Sequence, residues 1–348
     1  MPFVKVTTST GWINFHYNIC TPLSENADRI DPSLPVVLFF HAMAIPSIFH
    51  SQFCDPALRS FNLVTFDLRW HGHTTSTRAK EPYGQENAAE DVKALIDVLQ
   101  LPPCHFVAID IGTLMAMQVA IENPKQVLSL TLISHVCLEE LPDIQEGRAE
   151  LFRTCSSLIP EVRVDTAIGY MQYAFSNKIT FLGQATYDFM LPFALENWDD
   201  EHYLEHKIAS FEIFVHRKAQ TQEALSRLSC PVKLVYGTAS LAYPPSYTKR
   251  LYLDLKAAGV QASMLEVPHA PHYLSLDHSD EINPVIYDFI VENSQGKTIR
   301  TPSRSNYISP WDGVLRACGW DPSRQNALDD DIFTVSWPPN PHMKMLQT

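Results

Sequence analysis

No stretch of this 348-residue chain is rich in lysine or arginine. The 26 basic side chains stand against 39 aspartates and glutamates, a net charge of −13. That balance argues against nucleic acid and anionic membrane surfaces as partners. Nor does any run approach the roughly 18 apolar residues of a bilayer span. The opening MPFVKVTTSTGWINFHYNI alternates like a strand pair and lacks the apolar core of a signal peptide. Paired cysteines are missing too: seven are scattered at positions 20, 54, 104, 137, 155, 230 and 318, with no CxxC. An odd, scattered set is the pattern of free thiols in a reducing compartment. There are no internal repeats. The expectation is a soluble cytoplasmic protein acting on a small molecule, with neither nucleic acid nor membrane as partner.

What is present is an alternation of buried strands and amphipathic helices. Strands read at 35–40, 62–67, 105–109 and 128–134, and again at 232–236 and 262–267. Helices read between them, one carrying Val92, Leu95 and Leu99 at helical spacing, others ending near Gly259 and starting near Asp280. Continuously apolar strands separated by helices imply a mostly parallel sheet covered on both faces. This core is read over 1–134 and 230–293.

The middle, 135–229, differs. Val164, Ile168, Met171 and Phe175 mark one long helix there, and Leu204, Ile208, Phe211 and Val215 mark another, with Asp199 or Asp200 as its cap. A helical insertion between two strands reads as a lid over the carboxyl ends of the sheet. Residues 294–348 are rich in Pro, Ser, Asn and Asp yet hold Trp311, Trp320, Phe333 and Trp337. Disordered tails seldom carry so many aromatics, so this extension is expected to pack on the core or on a second copy in a homodimer.

Residues 104–112, CHFVAIDIG, read as a strand that breaks sharply into the helix 113–122, which Asn123-Pro124 stops. Strand, tight turn and helix is the layout of the nucleophile elbow, G-x-S-x-G, whose strained tip needs small residues two before and two after it. Ala108 and Gly112 meet that demand, and the tip is Asp110 where a serine is usual.

Three further segments follow strands in the right order: HAMA at 41–44, DLRWHGHTTS at 67–76 and VPHAPHYLSLDH at 267–278. With the elbow they resemble the α/β-hydrolase family, across about 35–134 and 232–292. In that resemblance His41-Ala42 stands for the His-Gly turn after the third strand. Asp67, Arg69, Trp70, Gly72 and Thr74 stand for D-x-R-G-x-G-x-S, and Pro271-His272 for the late Gly-His. The resemblance implies an α/β-hydrolase fold, no cofactor, and His272 as general base facing Asp110. It places the oxyanion hole at the N–H groups of Met43 and Ile111, and His41 beside the substrate. His269 is a bystander, and with no third ligand near, His269 and His272 make a poor metal site.

Asp at the elbow is what epoxide hydrolases and haloalkane dehalogenases carry; there it attacks a saturated carbon and His releases the ester. Ile111 in place of the Trp those relatives have after the Asp, and Met43 in place of a halide-binding Asn, speak against dehalogenation. Epoxide opening also needs a proton donor. The lid offers Tyr170 and Tyr173, three apart on one helix face, besides Tyr187 and Tyr203. The usual acid is absent, because the family spacing G-x-x-D lands on Ser240. Just after the sixth family strand stand Glu139, Glu140 and Asp143, of which Glu139 is the first choice. The other arrangement has Asp110 itself polarise His272, with Ser240 as a third hydrogen-bonding group. Three functions compete: a hydrolase of small, largely apolar epoxides or strained esters, a cofactor-free cyclase or lyase of the kind found in fungal secondary metabolism, and a ligand-binding descendant without turnover.

Overall fold

The computed structural model describes residues 2–324 except 81, 156, 158, 177–179, 295, 297–298, 300–303 and 305. Phe333 and Trp337, expected as anchors of the tail, lie outside the described residues.

The N-terminal alternation forms a hairpin of β1 (Phe3–Thr8) and β2 (Gly11–Cys20). There follow β3 (Val36–Phe40), β4 (Asn62–Phe66), the short β5 (Thr75–Ser76), β6 (Cys104–Ile109), β7 (Val127–Ile133), β8 (Val232–Gly237) and β9 (Ala262–Val267). One nine-stranded sheet results, ordered β1-β2-β4-β3-β6-β7-β8-β9, with β5 on β2. β2 runs antiparallel to its neighbours, and every pair from β4 across to β9 is parallel. All residues of β3, β4 and β6 are buried, as parallel strands covered on both faces must be.

The covering helices include α1 (His50–Cys54), α2 (Gln85–Val98) and α3 (Ile111–Glu122). Between β7 and β8 come α4 (Pro142–Cys155), α5 (Pro160–Phe175), α6 (Phe181–Asn197), α7 (Tyr203–Lys207), α8 (Ile213–Val215) and α9 (Gln222–Leu225). The periodic run from Leu204 to Val215 is α7 and α8 joined by a π turn at Ile208–Glu212, and Asp199 caps the preceding turn by accepting from the His202 N–H. α6 escaped the periodicity reading for a physical reason. Its apolar residues are spread round the helix with Gln184, Asp188 and Glu196 among them, and it carries Pro192 inside, so it offers no stripe to detect. α10 (Pro245–Ala257), α11 (Ser279–Glu292) and α12 (Asp312–Ala317) complete the chain.

From β3 the chain moves outward to β4, then returns to place β6 on the other side of β3. Strand order therefore reverses at β3/β6, and a crevice opens beyond their carboxyl ends. The turn after β3 and the turn after β6 face each other across it. No helix among the described residues is long and apolar enough to cross a membrane.

Candidate active site

Asp110 occupies the turn between β6 and α3 with φ 51° and ψ −125°, a conformation an L-residue adopts only under constraint. The constraint is close packing. A Cβ at Gly112 would meet the Phe40 carbonyl oxygen at 2.5 Å, so only glycine lets α3 approach β3. Asp110 is fully buried, and it stands at the N-terminus of α3, where the helix dipole favours negative charge.

Its two oxygens have different surroundings. Oδ2 accepts from the Met43 N–H (3.0 Å) and from the Tyr273 hydroxyl (2.7 Å). Oδ1 lies 3.4 Å from His272 Nε2, too long for a strong hydrogen bond. Burial alone would raise the Asp110 carboxyl; the hydrogen bond and charge of His272, the Arg148 guanidinium and the Met43 N–H together hold it well below the usual carboxylate range.

His272 rides on the loop after β9. That loop sits tight on β8, since a Cβ at Gly237 would meet the Ala270 carbonyl oxygen at 2.2 Å. The imidazole is buried beside Tyr243, Tyr173 and Tyr273, with ring centroids 5.4, 5.5 and 5.3 Å away. Its Nδ1 meets Ser240 Oγ at 3.5 Å, and that hydroxyl also accepts from the Tyr243 N–H.

The sequence-based candidates divide accordingly. Asp110, His272, Met43, Tyr170, Tyr173 and Ser240 are brought together. The Met43 N–H is spent on Asp110 itself. Ile111 follows as the first residue of α3, its side chain lining a small cavity with Phe66 and Trp70. Glu139 requires correction: it points to solvent, with Arg250 3.7 Å away as its ionic neighbour, because the chain turns Glu140 inward instead. His41 requires another. It is fully buried, its Nε2 accepts from the Leu68 N–H (2.9 Å) and its Nδ1 bonds the Ala42 carbonyl (2.6 Å). Burial lowers the pKa of that ring. It ties the turn after β3 to the segment after β4 and does not line the lid cavity.

Three groups were not anticipated. Tyr273 holds Asp110; nothing in PHYLSLDH marks the residue after the histidine as the one that turns inward. Arg148 of α4 and Arg217 after α8 converge on Glu140. Arg148 Nε donates to Oε2 at 2.9 Å, and Arg217 donates to both oxygens at 2.9 and 3.0 Å. The Tyr243 hydroxyl adds a bond of 2.9 Å. Burial works against the Glu140 charge, and the two guanidiniums outweigh it. Arg148 also donates to the Tyr173 hydroxyl (2.6 Å).

A cavity of about 660 Å³ lies between α4, α5 and α6. Its walls include Ile144, Leu151, Val162, Met190, Leu191 and Leu195. Met43, Tyr170, Tyr173 and Arg148 also line it, whereas Asp110, His272 and Tyr273 do not. Tyr170 donates to the Met43 carbonyl (2.7 Å) and touches the Tyr273 hydroxyl (3.1 Å). Trp198 lines the cavity as well. Phe175 packs on Tyr273, Phe214 under Arg148 and Phe211 on Phe152.

Residues 35–279 match the family model described as alpha/beta hydrolase fold. The chain belongs to the α/β-hydrolase fold family. It is therefore a member of the hydrolase superfamily of enzymes. It is 22% identical to epoxide hydrolase 1 of Siraitia grosvenorii over 290 residues, 74% of this chain and 91% of that one. To 3-oxoadipate enol-lactonase 1 of Acinetobacter baylyi it is 23% identical over 235 residues, 67% and 80% of the two. A match to the probable lysophospholipase BODYGUARD 2 of Arabidopsis thaliana, 23% identical over 147 residues, spans 37% of this chain and 31% of that protein. Among solved structures, an esterase from Thermogutta terrifontis superposes with a TM-score of 0.65 at 16% identity, covering 84% of this chain and 99% of its own.

Proposed function

We propose that this protein opens an epoxide, or a comparably strained ring, in a small and largely apolar molecule through a covalent ester on Asp110. The observation that carries this reading is the division of labour between the Asp110 oxygens. Oδ2 sits against two hydrogen-bond donors, the Met43 N–H and the Tyr273 hydroxyl, while Oδ1 takes neither. A carboxylate so held attacks with Oδ1, and Oδ2 becomes the ester carbonyl already seated in its oxyanion hole.

In the first step an Oδ1–C bond forms and a ring C–O bond breaks. The ring oxygen takes the Tyr173 proton, and Arg148 steadies the phenolate. Water then attacks the ester carbon and gives a proton to His272, the negative charge collecting on Oδ2. Collapse breaks the bond between the ester carbon and Oδ1. The departing alkoxide takes the proton from His272, and the proton left on the new carboxyl returns to Tyr173. Substrate reaches Oδ1 when Tyr170 swings aside, since its ring lines the cavity and its hydroxyl touches the Tyr273 hydroxyl that holds Asp110. The apolar walls fit the substrate class, and the likeness to a protein named as an epoxide hydrolase agrees with it. Seven free cysteines fit a reducing, cytoplasmic setting.

One observation favours a second reading. His272 Nδ1 meets a hydroxyl at Ser240, and Asp110 is the carboxylate beside its ring. In that arrangement Asp110 polarises His272, the pair moves protons without an ester, and the enzyme is a cofactor-free cyclase or lyase.

Intact-protein mass of His272→Ala after incubation with styrene oxide and decene oxide separates them. The ester predicts a mass gain equal to the epoxide, absent from Asp110→Asn/His272→Ala. Wild-type turnover without an adduct would establish the acid–base pair instead. No adduct and no turnover on either probe would leave a ligand-binding protein as the better account.

A further inference from the structure

α6 poses a packing problem that the catalytic reading does not address. Of its seventeen residues only Glu196 is exposed. Tyr187, Met190, Leu191, Ala194, Leu195 and Trp198 all line the lid cavity. Their spacing, i, i+3, i+4, i+7, i+8 and i+11, is one face of a helix. Leu182, Ala185, Phe189 and Pro192 do not line that cavity and are buried too, so the helix is also covered on its back.

The cover comes from the C-terminal extension, beyond the part of the chain that matches the family model. α12 lies against α6. Pro310, Trp311 and Val314 share a small cleft with Phe189, Met190 and Phe193. Met190 thus lines the lid cavity and that cleft alike.

The same segment is anchored to the core. Arg59, fully buried, donates to the Ile308 carbonyl (3.1 Å) and sits over the Tyr307 ring at 4.6 Å. Ser309 Oγ meets His50 Nδ1 at 2.7 Å, and Trp311 packs edge-on against Phe53 with centroids 5.2 Å apart. His50 and Phe53 belong to α1, in the stretch that continues from the Met43 turn.

We propose that residues 306–320 are a strap behind α6, the helix that walls the lid cavity, and that they pin it to the core segment carrying Met43. The strap sets where Tyr187, Met190 and Trp198 stand, and so the shape of what the cavity admits. It replaces the solvent-facing polar side that an ordinary lid helix would have.

The test is hydrogen exchange on the full chain bearing Val314→Glu. Val314 is half-buried and belongs to the α6 side of the strap. Amides of α6 should exchange at least about tenfold faster than in wild type, while those of β3 and β6 stay within about twofold. The control is Leu253→Glu on α10, where the side chain is 63% exposed; it should alter neither set. Should Val314→Glu not fold, Val314→Ala gives the same localised pattern at about threefold. Unchanged exchange in α6 would overturn the proposal. So would acceleration spread evenly over sheet and lid, which would make the extension a general stabiliser. Exchange reads the placement of α6 directly, so these outcomes stand whether or not Asp110 forms an ester.

Discussion

Two buried carboxylates, Asp110 at the strand ends and Glu140 at the root of the lid, are both held ionised, by different means. Glu140 is wrapped by two guanidiniums, a tyrosine hydroxyl and the Leu141 N–H. Its charge is neutralised on the spot and its oxygens are used up. Asp110 has two hydrogen bonds from neutral donors on a single oxygen, an imidazole at long range, and the Arg148 charge further off. One oxygen is committed and the other has no strong donor. The first arrangement builds structure; the second is the one the proposed ester on Asp110 requires.

Replacing each carboxylate by its amide should separate the two regions most sharply. Asp110→Asn should lose turnover by at least about 10³-fold. The donors on its Oδ2 still find an acceptor, so the melting temperature should move by no more than about 3 °C. Kinetics and a thermal melt on the same preparation check both. Glu140→Gln should behave in the opposite way. It leaves two buried guanidiniums without an anion, a loss of about 3–5 kcal/mol, and the melting temperature should fall by about 5–10 °C. The folded fraction should still form the Asp110 adduct in a His272→Ala background. Equal losses of activity and stability in both variants would erase the distinction.

Tyr273→Phe tests the same division at one oxygen. It deletes a 2.7 Å hydrogen bond to Oδ2 and nothing from Glu140. Removing one donor from such a hole should slow turnover by about 10–100-fold, chiefly in kcat. A change confined to KM would mean that Tyr273 shapes the pocket instead of holding charge.

How much of this was legible in the sequence follows from what each feature depends on. The sheet strands and α3 read correctly because apolar runs and the Ala108–Gly112 spacing are local signals. The juxtaposition of Asp110 and His272 is legible because a motif fixes their backbone positions. The place of Met43 follows from the same frame, and that of Tyr170 and Tyr173 from their spacing on one helix face. Glu139 was preferred over Glu140 because adjacent residues share every sequence signal, and only the turn into α4 decides which faces in. His41 looked like a substrate contact because the motif gives position and not hydrogen-bond partners. Tyr273, Arg148 and Arg217 were invisible for a related reason. Their roles arise from contacts across as many as 163 residues, as between Tyr273 and Asp110. α6 left no trace because its apolar residues are spread round the helix and give no amphipathic period.

A third carboxylate sharpens the comparison, with the smallest effect. Asp277 is partly buried near the start of α6, where the Thr180 hydroxyl donates to it at 3.0 Å. Burial raises its pKa, the Thr180 bond and the His278 charge offset this only in part, and the carboxyl is pushed up to about 6. One hydroxyl is therefore not enough to do what the donors around Asp110 or Glu140 do. The sign follows from linkage: a carboxyl with a folded pKa above its unfolded value stabilises the fold in its protonated form. That contribution is complete below about pH 4 and is lost as pH rises through about 6. Asp277→Asn keeps an acceptor for Thr180 and removes the charge. It should raise the melting temperature by about 1–2 °C at pH 8 and leave it unchanged at pH 4. Thermal melts of both proteins across that range measure it. A gain of equal size at both pH values would show that the amide improves packing, and that Asp277 is as well supported in its charged form as Asp110.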